Sequence, residues 1–73
     1  MSSAYAVVLS GEILVNTIYE DERGAQVNGL GIVFGVMPMR DWTTERIAKT
    51  WKGFSDLASF DVAVVKVAVE VIQ

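Results

Sequence analysis

The stretch EDERGAQVNGLGIVFGV, residues 20–36, decides the fold, because its seventeen residues read two ways. As a helix it starts well. Asp21 can cap the first turn, and Glu20 and Glu22 suit the positive end of the helix dipole. Val27, Leu30 and Phe34 then fall at i, i+3 and i+7, with Ala25, Ile32 and Val33 beside them. Against a helix stand Gly24, Gly29, Gly31 and Gly35, each costing about 1 kcal/mol relative to Ala in a helix interior. Asn28-Gly29 is also a hairpin-turn signal, which would make Leu30–Val36 a strand. The helical reading is preferred, with Gly24, Asn28, Gly31 and Gly35 along one smooth side that lets another element approach closely.

Upstream, Ala4–Leu9 (AYAVVL) and Glu12–Tyr19 (EILVNTIY) are rich in β-branched and aromatic residues, and Ser10-Gly11 between them reads as a tight hairpin. The opposed pairs are then Val8 with Ile13, Val7 with Leu14 and Ala6 with Val15. One face collects Tyr5, Val7, Leu9, Leu14 and Ile18, the other Ala6, Val8, Ile13, Val15 and Tyr19. Both are apolar.

Downstream, Pro38 ends whatever precedes it. A helix follows from Thr43 to about Phe54, with Thr43 as N-cap and Trp42 stapled onto Ile47. Its buried stripe is expected to be Ile47, Trp51 and Phe54. Gly53 marks its end, and Ser55–Ser59 is the loop that follows. Phe60–Ile72 (FDVAVVKVAVEVI) is a strand by composition, with Ala63, Val65, Val67, Val69 and Val71 on one apolar face and Lys66 and Glu70 as charged gatekeepers on the other. The expected fold is α+β, in the order β-β-α-α-β: one domain, residues 1–73, with a three-stranded, mostly antiparallel sheet and two helices on one face.

Composition sharpens this. Of 73 residues, 52% are hydrophobic, and mean hydropathy is +0.40. So small a chain buries only about 60% of its unfolded surface. With no Cys and no His, neither a disulfide nor a thiolate or imidazole metal site can help it. Two short helices cover one sheet face, so the second calls for another chain, most simply a twofold homodimer. The expected self-association residues are Val8, Ile13, Val15, Val65, Val67 and Val69.

Nine acidic and six basic residues leave a net charge of −3, which argues against direct nucleic-acid binding. The longest apolar run, Val62–Ile72, is too short and too interrupted to cross a membrane, and Met1–Tyr5 lacks the basic start of a signal peptide. A cytoplasmic protein is expected. Without His or Cys, nucleophilic catalysis of the usual kinds has no players. Gly29-Leu30-Gly31 with Gly35 misses dinucleotide-loop spacing, and Glu20–Glu22 lacks that of a cation loop. No enzyme, cofactor or metal is expected. Four of the six basic residues lie between Arg40 and Lys52, and Trp42 stands one turn before Arg46, within reach of a cation–π contact. The expected partner-binding residues are therefore Trp42, Arg46 and Lys49, with Glu20, Asp21 and Glu22 as an acidic corner.

Gly11–Thr17 (GEILVNT), followed by Glu22–Ala25 (ERGA) and Val27-Asn28, resembles short uncharacterised proteins encoded by bacteriophages and prophages, over Ala6 to Leu30. The resemblance implies only a setting, a phage accessory protein or small virion-associated component; in that setting the expected action is to bind a host or phage protein in the host cytoplasm and occlude its surface. The alternative is a small structural or virion-associated component assembling by strand addition.

Overall fold

The structure is a computed structural model and describes residues 2–69, the side chains of Ser2 and Val69 excepted. The order is β1 (Ser2–Leu9), β2 (Glu12–Ile13), a 3₁₀ turn (Val15–Thr17), α1 (Glu22–Phe34), α2 (Thr44–Leu57) and β3 (Val62–Val69). The fold is α+β, β-β-α-α-β, with a sheet in the order β2-β1-β3 and antiparallel throughout.

The ambiguous stretch is a helix. Asp21 accepts from the Gly24 N–H at 2.6 Å, and α1 closes at Gly35, whose φ of 70° is left-handed. Across it the Val36 N–H donates to the Leu30 carbonyl at 2.9 Å, the closure a C-terminal glycine permits. The close approach comes at Gly24, which belongs to the expected stripe, and at Gly29, which does not. A Cβ on Gly24 would meet the Tyr19 ring, and one on Gly29 would meet Val7 and Trp51. Gly31 has only ordinary contacts around it. Burial over Gly29 offsets the helix penalty that a glycine carries.

The hairpin turns at Ser10 (φ 51°) and Gly11 (φ 85°), both positive as a two-residue I′ turn requires. Val8 pairs with Ile13 as expected, and the Leu14 N–H donates to the Val7 carbonyl at 2.9 Å. There the expected second strand stops. Ala6 does not pair with Val15, because Val15–Thr17 turns away as a single 3₁₀ turn. The chain returns at Tyr19, which bridges Tyr5. The cause is Thr17, whose hydroxyl is fully buried. It accepts from the Val7 N–H at 2.8 Å and donates to the Leu14 carbonyl at 2.6 Å, so a side chain serves the ladder where a strand backbone would have. The pairing slips by three residues, and an odd slip reverses which face a side chain takes. Tyr19, expected beside Val8 and Ile13, lies instead on the helix side, over Gly24. Thr17→Val should cost about 2 kcal/mol in urea unfolding, since it strands a buried N–H, whereas Thr17→Ser should retain most of the stability.

The core joins Val7, Leu30, Ile47 and Trp51, with Val62, Val64, Leu14, Val27 and Trp42 packed against them. Thr43 caps α2 at the Arg46 N–H, 3.1 Å away. Two expectations for this helix need correction. It runs past Gly53 to Leu57, because Gly53 keeps helical geometry and Ala58 forms the cap. Phe54 is 40% exposed, sitting at the core's edge with its ring 5.1 Å from that of Phe34. The last strand begins at Val62, two residues later than expected. Residues 70–72, expected to extend it, lie outside the described residues.

Candidate functional site

Both helices pack on the side of the sheet that carries Val7, Val62 and Val64. Alternation places Ala4, Ala6 and Val8 of β1 on the opposite side. Antiparallel pairing sets Ala4 against Val67, Ala6 against Val65 and Val8 against Ala63. Ile13 extends the same row from β2. Over Ala4–Val8 and Ala63–Val67 this face carries no polar side chain, and among the described residues no helix crosses it. Ala4 and Ala6 are buried, Val8, Val65 and Val67 are half-buried, Ala63 is exposed, and Ile13 is 51% exposed.

Of the expected self-association residues, Val8, Ile13, Val65 and Val67 share this surface. Val15 does not: it leaves the ladder with the 3₁₀ turn and stands exposed. The Val69 side chain lies outside the described residues. Ala4, Ala6 and Ala63 belong to the face and were absent from the expected set. Strict alternation from Val8 and Val65 was the signal for all three, though alanines draw little notice beside valines.

The second surface lies at the start of α2. The Arg46 guanidinium sits 4.0 Å from the centre of the Trp42 ring, the stacking that the one-turn spacing suggested. Trp42 is half-buried against the core and Arg46 exposed. Lys49 is exposed three residues further on. The acidic corner is tied to this surface by Arg23, whose Nη2 donates to the Trp42 carbonyl at 3.4 Å and so draws the first turn of α1 toward the start of α2. Asp21 is committed to capping, while Glu20 and Glu22 are exposed. Arg23 and Arg40 were not foreseen. With Val27, Pro38, Met39 and Ile47 they line a cleft of about 320 Å³, formed by residues too distant in sequence for spacing to connect.

Among the described residues, no three acidic side chains gather as metal ligands would, and no helix is long and apolar enough to cross a membrane. The fold and its surfaces define a class: a small two-layer α+β domain whose two helices, among the described residues, cover one side of the sheet. No protein-family model matches the chain, and neither a curated protein nor a solved structure matches it.

Proposed function

We propose that this chain is a non-enzymatic binding protein of the phage accessory kind, paired with a second copy through its bare sheet face. The observation that carries the reading is the bare face itself: valines, alanines and an isoleucine across three strands, with no helix over it among the described residues. Soluble monomers seldom leave so continuous an apolar surface open. Small side chains let two such sheets approach closely, and a twofold axis makes one face its own complement. Light scattering coupled to size exclusion over a hundredfold concentration range tests this. Association to a dimer or beyond is expected, and a monomer throughout would refute it.

Pairing by the sheet leaves the helix side of each copy outward. Trp42, Arg46 and Lys49, with Glu20 and Glu22 nearby, offer an aromatic anchor ringed by both signs of charge, which suits a folded protein partner better than a nucleic acid. The partner is a host or phage protein, and the action is occlusion of its surface in the host cytoplasm. Trp42→Ala with Arg46→Ala should abolish capture of that partner from host lysate without altering self-association. Undiminished capture would remove the site from these residues.

A structural or virion-associated role is the second reading, favoured by one observation: β3 is an edge strand of eight residues with neither proline nor bulge. Such an edge can accept a neighbour's strand.

A further inference from the structure

Besides the stripe it buries, α2 carries a second one. Ile47 and Trp51 fill the core. Thr50, Gly53, Phe54 and Leu57, spaced i, i+3, i+4 and i+7 along the same helix, line a groove of about 290 Å³ that opens outward. Leu57 is 88% exposed. A Cβ on Gly53 would touch nothing among the described residues, so none of them fills the notch there. The Thr50 hydroxyl donates to the Arg46 carbonyl at 2.8 Å, which leaves its methyl as the outward group. The fold uses none of this stripe for its own packing beyond the edge of Phe54.

We infer that this stripe is a contact between copies of the chain, with the two α2 helices antiparallel about a twofold axis near Gly53 and Phe54. The residues are self-complementary in that arrangement. Leu57 of one copy lies over Thr50 of the other, and Phe54 over Gly53, so each layer sets a large side chain against a small one. Charge agrees with shape. Lys49 and Asp56 are seven residues apart on one edge of the stripe, both exposed. An axis near the middle of the stripe brings Lys49 of each copy to Asp56 of the other, twice per dimer.

This contact does not rest on the sheet face, and lies on the other side of the molecule. Where both form, copies alternate sheet-to-sheet and helix-to-helix and growth passes beyond a dimer.

The test uses charge reversal in full-length protein carrying Val65→Lys and Val67→Lys, which silences the sheet face. In that background, sedimentation should show a dimer. Lys49→Glu and Asp56→Lys should each weaken it about tenfold or more, by facing like charges across the axis. An equal mixture of the two variants should recover it, because every charge in the mixed pair again meets its opposite. Since each variant is folded in the same mixture that recovers, misfolding cannot imitate the result. A monomer in the background protein, reversals without effect, or a mixture no tighter than its components would each overturn the inference. Failure of the sheet reading looks different: the Val65 and Val67 lysines would leave association unchanged while the α2 reversals still acted.

Discussion

Lysine at both Val65 and Val67 should weaken the sheet-to-sheet contact at least a hundredfold, with the mass in light scattering falling by a factor of two or more at fixed concentration. Both side chains stand on the bare face, opposite Ala6 and Ala4. Burying two ammonium groups per copy between apolar sheets, with no carboxylate on either face to meet them, costs several kcal/mol, more than a hundredfold in affinity represents. The fold itself should survive. Both positions are half-buried in the single chain, where a lysine stem can lie along the sheet with its charge in water. Lys66 already sits between them on the helix side. A protein that stays folded by circular dichroism and keeps its full mass would remove self-association from this face.

Gly29→Ala should lower stability by about 2 kcal/mol, although alanine is the better helix former by about 1 kcal/mol. The added methyl would stand 2.7 Å from both Trp51 Cζ3 and Val7 Cγ2. Neither can swing aside, since Val7 is wholly buried and Trp51 nearly so, and overpacking of this kind costs roughly 1–3 kcal/mol beyond the propensity gain. For a chain of this length the loss should appear as a fall in Tm of about 10 °C. Gly31→Ala, two residues along the same helix, is the contrasting case. Its methyl meets the Met37 sulfur at 3.6 Å, an ordinary contact, so the propensity gain should show as a rise in stability. If both substitutions shifted Tm in the same direction, the close approach at Gly29 would not be what fixes the spacing of α1, α2 and β1.

These two glycines also show why residues 20–36 were hard to read. Locally each glycine counts equally against a helix, and Asn28-Gly29 counts for a turn. Only with β1 and α2 in place does Gly29 become the point where Val7 and Trp51 meet the helix backbone, and tertiary burial then outweighs propensity. The second strand failed for the opposite reason. EILVNTIY has strand composition throughout, but Thr17 found buried partners at Val7 and Leu14 and drew three residues out of the ladder. A hydroxyl's choice between solvent and a neighbouring strand's N–H is not written in period-two alternation.

For the surfaces, Val8, Ile13, Val65 and Val67 followed from alternation alone, and the Trp42–Arg46 stacking from a spacing of one turn. Val15 and Tyr19 were misplaced because both lie beyond the slip. The Arg23 link to Trp42 and the second stripe of α2 emerged with the packing. By itself the sequence determined what is periodic or local: the hairpin turn at Ser10-Gly11, the caps at Asp21 and Thr43, the order of elements, and an apolar surplus larger than two helices can cover. Tertiary structure decided what depends on which surfaces meet: the helix through three glycines, the register after Thr17, and the exposure of Phe54 and Leu57. Local signals act through one chain segment's own hydrogen bonds and rotamers, whereas those three outcomes were set by the volume and polarity of residues far away in the chain.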